Sequence, residues 1–499
     1  MKEGYIGRKS IAGLILTAAF ALPVLSFLCA SAWGDVPSDA SLFRYVGWRM
    51  ATGGAACTDA FENKGPLLFL LNALGYRLSP GGEWGPRLVF LGLWLWTTYA
   101  IFLLGRPLGR AVSATAALFF SVTALGMTGT DMLLDNVEIV GLSCALAGLL
   151  AGNGRSFRRA FAAGVFAGGA FLSKPNLAGF SAGLLALWAH DAASDGRWRR
   201  FAGRTAYAAA GAILVLLAAT VASGTHAYDV WDGMLFYNLL EYQRYRTDVS
   251  WFEWWRSFFM SVPVNRLDGR QLMIFLSLFV PAAFGARSMW RRNLRPLCLT
   301  LVAWLAVEAA MSLCAKGFYP HYFLPAVGAL SIPAVAGCLD GRMNRLLRVA
   351  MVCLLLAVGC FEGRLCLMGV MVTKDVGSRT TAICRKVRDN VGNGRRVAVF
   401  GGHVLAETLV RCRLVSPQRY FVLPFHYPYA GQERRREMER EVLSALTDSD
   451  IDWLIAEDSA AMMARYFADP EIGRQLERWH LAGHAGELHL YKRQGEKVE

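Results

Sequence analysis

The sequence predicts an α-helical polytopic membrane protein with about eleven transmembrane helices and a C-terminal extracytoplasmic α/β domain. The 499-residue chain is 55% hydrophobic and 18% charged, with a mean hydropathy of +0.33, which is too apolar for a soluble protein of this size. Apolar runs of spanning length recur up to residue 371. After residue 372 the pattern changes to alternating strands and helices.

The apolar runs define the candidate spans, each near the length needed to cross a hydrocarbon core. They lie at about 10–30, 84–104, 111–128, 137–152, 160–173, 176–190, 205–223, 269–286, 296–315, 322–340 and 349–371. The first run follows Lys2, Arg8 and Lys9, so it also fits a secretory signal with a cleavage site near 29–32. Its length and the polytopic chain after it favour a retained span.

Arginine-rich loops set the predicted orientation. They alternate with loops that carry acids, aromatics and single lysines, and the arginine clusters lie at 106–110, 155–159, 197–204, 287–295 and 342–348. By the positive-inside rule these loops are cytoplasmic, which places the N-terminus inside and the C-terminal domain outside. The same distribution accounts for the formal net charge of +14 without nucleic-acid binding.

Two long segments on the predicted outer side are more than simple connectors. The first covers 31–83, and the second covers 224–268 and is rich in tryptophan and tyrosine. Within the first, residues 39–53 and 67–78 have the pattern of helices that lie in the membrane interface. We therefore predict one transmembrane domain over 1–371 that includes both segments.

The C-terminal residues 372–499 predict a soluble α/β domain. Helical patterns alternate there with short runs that are typical of strands. The predicted strands are 396–402, 452–456 and 487–491, and the predicted helices are 403–412, 432–447 and 458–477.

Most of the eleven cysteines lie within apolar runs and are interpreted as small core residues. Their spacing does not match a metal-binding pattern. Cys57, Cys384 and Cys412 lie outside the spans, and the sequence neither excludes nor assigns a disulfide among them.

Ionisable residues gather on the predicted outer face, where unpaired charges are costly unless they reach water or take part in function. A carboxylate can act there as general base on a hydroxyl or amine. Cations or a divalent metal ion can stabilise a leaving phosphate, which suits a donor with a lipid tail. The residues are Asp35, Asp39, Asp59, Glu62, Lys64, Asp131, Asp135, Glu138, Lys174, Lys316 and His321.

Four groups of motifs occur in order along this region. They are Asp39-Ala-Ser-Leu-Phe-Arg-Tyr-Val-Gly47 with Asp59-Ala-Phe-Glu62-Asn-Lys64-Gly-Pro66, then Asn136-Val-Glu138, then Ser173-Lys174-Pro175-Asn176, then Lys316-Gly-Phe-Tyr-Pro-His321-Tyr322. This arrangement resembles bacterial class C glycosyltransferases. It is most similar to family 39, which includes protein mannosyltransferases and lipid A aminoarabinose transferases.

The resemblance implies an inverting transfer of a sugar from a polyprenyl-phosphate donor to a glycan, lipid or protein acceptor. The reaction would take place on the outer side of the bacterial cytoplasmic membrane. In this family the first outer loop supplies an essential acid, which falls on Asp39, with Asp35 as a close rival. Many members carry adjacent acids there, whereas Ala40 follows Asp39 here, so the need for a metal ion stays open.

The other candidate residues each have a structural alternative. We expect contacts with the donor phosphate or substrate from Lys64, Glu138, Lys174, Lys316, His321 and Tyr322, and ordering of the site by Asp59 and Glu62. As alternatives, Asp39 caps a helix or anchors it at the interface, and Asp35 lies in a turn. Asp59 and Glu62 only pair with Lys64 or cap the next helix, and Lys64 snorkels from an interfacial helix. Aromatic residues at an interface also form belts without any catalytic reason.

Two other function classes compete with a transferase. A transporter or lipid flippase also has many spans, but such proteins tend to place polar groups at the midplane in repeated halves. The sequence has no evident repeat, and its charges gather at one face. An assembly factor that holds partners through its outer domain is compatible with the composition.

Overall fold

The computed structural model describes residues 2–33, 37–80, 82–128, 135–224, 226–242, 266–314 and 320–494. Numbered in chain order, its helices are α1 Lys2–Trp33, α2 Asp39–Ala51, α3 Pro66–Leu78, α4 Trp84–Gly105, α5 Arg110–Thr128, α6 Val137–Gly152, α7 Phe157–Ser173, α8 Phe180–Asp195, α9 Trp198–Ala222, α10 Ala227–Trp231, α11 Arg266–Arg291, α12 Arg295–Cys314, α13 Leu324–Cys338, α14 Arg345–Val391, α15 His403–Cys412, α16 Leu423–His426, α17 Gln432–Thr447, α18 Ala460–Tyr466 and α19 Pro470–Leu476. A π-helix covers Asp232–Tyr242. The strands are β1 Ala398–Phe400, β2 Trp453–Ala456, β3 Trp479–Ala485 and β4 Leu488–Arg493.

Each predicted span coincides with a helix, and the helices predicted near 39–53 and 67–78 are present as α2 and α3. Within the described ranges, six helical segments are long and apolar enough to cross a membrane, namely Ile11–Cys29, Trp84–Leu108, Arg110–Thr128, Trp198–Ala222, His321–Cys338 and Arg345–Val391. Helices α6, α7 and α8 have only 16 or 17 residues, below the usual span of about 20. The number of spans therefore stays a prediction.

The chain divides into two compact units. The first contains 1–29, 87–219 and 249–370, and the second contains 30–86, 220–248 and 371–499. The predicted division into 1–371 and 372–499 is not tested by this partition and stays a prediction.

Close helix crossings characterise the first unit. Helices α11 and α13 approach so closely that a Cβ on Gly285 would overlap the carbonyl of Pro333, and one on Gly337 would overlap the carbonyl of Pro281. Small residues let backbones approach in this way and support packing between apolar helices. The sequence at this crossing therefore admits little beyond glycine.

A four-stranded sheet in the order β1-β2-β4-β3 lies in the second unit. Strands β1 and β2 are parallel, with Val399 opposite Ile455, and the other pairs are antiparallel. The three predicted strands are present, but β3 was not predicted, and its period is broken by an irregularity near Gly483. The predicted helix 458–477 is wrong as a single element, because Asp469 caps a new helix that begins at Pro470.

The remaining parts of the second unit pack together around aromatic side chains. The Phe61 ring lies 5.4 Å from Tyr237, 4.9 Å from Tyr420 and 5.1 Å from His426, measured between ring centroids. The Phe61 amide also donates to the carbonyl of Arg419 over 2.7 Å. Residues of the first predicted outer segment are thus part of the same core as the C-terminal residues.

Candidate active site

Asp39 is the first residue of α2, and its side chain is 40% exposed. Ser38 is the N-cap residue, and its amide donates to Ser41 Oγ over 3.3 Å, so the alternative that Asp39 caps the helix is wrong. A carboxylate in the first turn is favoured by the helix dipole. The start of α2 therefore holds Asp39 as an accessible anion.

His403 is a hydrogen-bonding partner of Asp39. Its Nε2 lies 2.9 Å from Asp39 Oδ1, and its ring packs against Phe425 with centroids 4.6 Å apart. A carboxylate accepts only, so this hydrogen bond requires the tautomer with a proton on Nε2. The contact joins the first turn of α2 to the first residue of α15.

A buried ionic network holds the same two helices together. Glu407 on α15 accepts from Ser41 Oγ at 2.7 Å, from Arg44 Nη2 at 2.9 Å and from Arg411 Nε at 2.6 Å. Arg44 is 2% exposed and Glu407 is fully buried. Because both charges are paired and hydrogen-bonded, the network is tolerated in the interior. It fixes the helix that presents Asp39.

Glu62 and Lys64 form a second charged group in this unit. Lys64 Nζ donates to Glu62 Oε1 over 3.2 Å and to Asn63 Oδ1 over 2.5 Å, and it lies 5.8 Å from the Phe43 ring centroid. Burial raises the pKa of Glu62 above its usual value, and the Asp39 carboxylate adds to this rise, whereas Lys64 opposes it. These three charged groups are thus close enough to influence one another.

His426 completes this group as a neutral side chain. Its Nδ1 lies 3.3 Å from the Tyr237 hydroxyl and its Nε2 lies 3.8 Å from Glu62 Oε2. Burial, together with the cations Lys64 and Arg434, lowers its pKa to about 3. The contact with Glu62 is therefore not an ion pair at neutral pH.

Asp59 has a local structural contact. Its Oδ2 accepts from the amide of Ala55 over 2.7 Å, and its own amide donates to the Ala55 carbonyl over 3.0 Å. The two bonds close the turn that precedes Phe61. The ordering role of Asp59 stays a prediction.

Glu138, Lys174 and Tyr322 meet in the first unit. Lys174 Nζ donates to Glu138 Oε1 over 2.8 Å and lies 3.5 Å from the centroid of the Tyr322 ring. Glu138 is 1% exposed and Lys174 16% exposed. The Glu138 amide donates to the side chain of Asn136, which caps α6. A lysine in this position combines an ion pair with a cation–π contact.

The neighbourhood of this group includes two further ionisable residues. The His321 ring packs edge-on against Tyr322, with centroids 4.9 Å apart. Glu308 on α12 is 1% exposed and lies against the turn after Lys174, where a Cβ on Gly179 would come within 2.7 Å of its Oε2. Glu308 was not among the predicted residues, although an acid inside an apolar run is itself a signal.

Several predicted positions lie outside the described residues, namely Asp35, Asp131 and Lys316. Within the described ranges, no group of three or more His, Cys, Asp and Glu side chains could hold a metal ion.

This chain is similar to one protein-family model and to solved structures of a membrane enzyme. Residues 63–223 match the family model described as dolichyl-phosphate-mannose-protein mannosyltransferase. The apo crystal structure of ArnT from Cupriavidus metallidurans matches with a TM-score of 0.59 and 14% identity, over 97% of this chain and 98% of that one. The structure of ArnT from the same organism bound to undecaprenyl phosphate matches with a TM-score of 0.56 and 15% identity, over 96% and 98%. No curated protein matches.

The chain has a class C glycosyltransferase fold. The predicted resemblance to family 39-like membrane glycosyltransferases is confirmed by the family match and the structural match together. The predicted combination of apolar helices with a small C-terminal sheet is also confirmed. The roles of the individual residues stay predictions.

Sequence reasoning missed three residues of the second unit, namely His403, Glu407 and His426. His403 and Asp39 are 364 positions apart, and no local pattern connects positions so distant. A weak signal exists for His403, since it follows Gly401-Gly402 at the start of a predicted helix. Glu407 had no signal, because it reads as an ordinary helix residue until its partners are known.

Proposed function

We propose that this protein is an integral-membrane glycosyltransferase that moves a sugar from a polyprenyl-phosphate donor to an extracytoplasmic acceptor, with inversion at the anomeric carbon. The observation that carries the proposal is the Asp39 carboxylate, which is accessible, bonded to His403 and close to the Glu62–Lys64 pair. The family match and the fold support the same class of reaction. The ArnT structure that holds undecaprenyl phosphate supports a polyprenyl phosphate as the lipid.

In the proposed mechanism Asp39 acts as general base on the acceptor. It takes the proton from an acceptor hydroxyl or amine as that group attacks the anomeric carbon, and the bond from this carbon to the phosphate oxygen breaks. Lys64 stabilises the charge on the leaving polyprenyl phosphate. His403 holds the Asp39 carboxylate through its Nε2 proton, and Glu62 and Asp59 order the surrounding segment.

The Glu138–Lys174–Tyr322 group is assigned to contact with the lipid-linked donor, with His321 beside it. Lys174 offers a cation whose orientation is set by Glu138 and by the ring of Tyr322. Such a cation on a short turn suits a phosphate or a sugar hydroxyl as partner. Lys316 and Asp35 are assigned to the substrate and to the catalytic loop, respectively, on the motifs alone.

Sugar transfer by the purified protein tests the proposal. The wild type, Asp39→Asn and Asp35→Asn would be given undecaprenyl-phosphate-linked pentose, hexose or aminopentose donors together with cell-envelope glycan and lipid acceptors. We expect transfer by the wild type and a loss of about 10²-fold or more in Asp39→Asn, as for removal of a general base. Asp450→Asn is the matched control, because that side chain is 79% exposed.

Two outcomes would overturn the proposal. The first is movement of the lipid-linked donor across a bilayer without any sugar transfer, which would favour a flippase. The second is transfer at the wild-type rate by Asp39→Asn, which would move the base elsewhere, to Asp35 if only Asp35→Asn is inactive.

A further inference from the structure

Two cysteines of the second unit meet between the end of α14 and the end of α15. Cys384 and Cys412 are both fully buried. Cys412 Sγ also lies 3.4 Å from the carbonyl oxygen of Cys384. A sulfur this close to the backbone of the other cysteine places the two residues within the short range that a disulfide bridges.

The helices that carry these cysteines are held in register by a second contact. Arg411 Nη1 donates to Thr381 Oγ1 over 3.1 Å, one turn before Cys384 on α14. The amide of Gly394 donates to the carbonyl of Cys412 over 3.4 Å. The approach of the two thiols is thus part of a packed interface and not an isolated contact.

Cys57 does not compete for either partner. It lies in a turn where its carbonyl accepts from Arg419 Nε over 2.6 Å, and its Sγ faces Gly233. Burial raises the pKa of the Cys57 thiol to about 12, so it is a poor nucleophile. Of the three cysteines outside the predicted spans, Cys384 and Cys412 therefore lie next to each other, and Cys57 has different neighbours.

We infer that Cys384 and Cys412 form an intramolecular disulfide in the mature protein. The inference rests on the extracytoplasmic placement of the C-terminal residues in the proposed function, since disulfides persist in that oxidising compartment. The two thiols lose two protons and two electrons as the Sγ–Sγ bond forms. A dithiol–disulfide oxidoreductase accepts them, and its own disulfide becomes two thiols.

The disulfide would cross-link α15 to α14 covalently. Helix α15 carries His403 against Asp39 and Glu407 against Arg44. A covalent link at its last residue would limit the fraying of this helix and so preserve both contacts. The disulfide therefore has a defined structural purpose in the second unit.

Thiol trapping in native membranes tests the inference. Cells would be lysed and the protein denatured in the presence of excess maleimide, so that buried free thiols react as well, and its cysteine peptides identified by mass spectrometry with and without prior reduction. We expect Cys384 and Cys412 to stay unmodified until the reductant is added, with Cys57 modified in both samples as the internal control. Modification of both cysteines before reduction would overturn the inference.

Two serine variants would test the pairing. In Cys384→Ser the released Cys412 should become modifiable without reductant, and the melting temperature should match that of the reduced wild type. The double variant Cys384→Ser/Cys412→Ser should melt at one temperature with or without reductant, whereas the wild type should melt lower when reduced. A wild type whose melting temperature ignores the reductant would contradict the inference.

The outcomes separate the disulfide from the proposed function. A protein that transfers sugar but holds both thiols reduced would overturn only the disulfide. A protein with the oxidised pair but no transfer with any donor would overturn only the glycosyltransferase.

Discussion

Asp39 and His403 form the contact on which the proposed chemistry depends most directly. The Nε2 proton fixes one carboxylate oxygen at 2.9 Å and so limits the orientations that the base can adopt. His403 does not take the proton of the acceptor, so its role is positioning. A hydrogen bond to a charged group contributes about 1.5–3 kcal/mol, which corresponds to a loss of roughly 10- to 100-fold if it acts mainly in the transition state.

Replacement of His403 should therefore affect turnover and not donor affinity. We expect His403→Ala to lower kcat by about 10-fold or more with little change in the KM for donor, because a transition-state interaction is lost. His403→Gln, which can still donate to Asp39, should recover part of the rate. A rise in KM alone, or equal loss in both variants together with a lower melting temperature, would show a merely structural role.

His426 gives the second unit a predictable response to acid. Its pKa is about 3 in the folded protein, against a usual value of 6.5, because burial disfavours the charged imidazole. The unfolded chain binds a proton as the pH falls below 6.5, while the folded chain does not, so stability is full above that pH and is lost toward pH 3. By pH 5 the loss amounts to about 2 kcal/mol.

A comparison of melting temperatures at pH 7.5 and pH 5 checks this effect. The wild type should lose more than His426→Asn, whose amide takes the place of Nδ1 beside Tyr237 and does not titrate. The difference between the two proteins isolates His426 from the other histidines. Equal losses in both would contradict the assignment of a neutral buried imidazole.

Among the secondary-structure elements, α2 and α15 are coupled by the buried pair Arg44–Glu407. Removal of one partner of a buried ion pair costs up to about 3–5 kcal/mol where the other charge is left without a partner. The cost is lower for Arg44→Met, because Glu407 keeps its bond from Arg411. We expect Arg44→Met and Glu407→Gln each to lower the melting temperature clearly, and the double variant to lose less than the sum of the two. Strict additivity would show that the two residues act independently.

An exposed ion pair provides the matched control for this double-mutant cycle. Arg396 and Asp448 lie 2.9 Å apart, but Arg396 is 46% exposed. Surface pairs contribute about 0–1 kcal/mol. Arg396→Met should therefore change the melting temperature little under the same conditions.

The elements that the sequence predicted are those with a local signal. Apolar runs such as 84–104 and 205–223 predict helices directly from the sequence. A single segment that crosses lipid must satisfy its own backbone hydrogen bonds, which a helix does. Strand β3 is the longest of the four, with seven residues, but it has no local signal because an irregularity near Gly483 breaks its alternation. The single helix predicted over 458–477 is wrong because Asp469 caps a new helix that begins at Pro470.

The candidate site could be predicted only in part. Motif residues such as Asp39, Lys64 and Lys174 are visible in the sequence because each lies in a polar segment beside an apolar run. Their partners are not visible, since the contact of Asp39 with His403 depends on folding of residues 364 positions apart. The sequence thus indicated acids and cations for a site, and the tertiary structure supplied the groups that orient them.

At the scale of the whole molecule, the proposed topology places the C-terminal residues outside the cytoplasm and the arginine loops inside. Asp450→Cys and Ser194→Cys test this, because both positions are exposed and lie on opposite predicted sides. In intact spheroplasts a membrane-impermeant maleimide should label the cysteine at 450 and not the one at 194. After lysis both should be labelled. The reverse pattern would place the C-terminal residues in the cytoplasm.

Steady-state kinetics of Asp39→Asn with a polyprenyl-phosphate sugar test whether Asp39 is the base in sugar transfer. Asparagine keeps the size of the side chain but cannot take up the acceptor proton. We predict a fall in kcat of about 10²-fold or more, with an unchanged KM for donor and an unchanged melting temperature. Turnover at the wild-type rate by a folded Asp39→Asn variant would contradict the account.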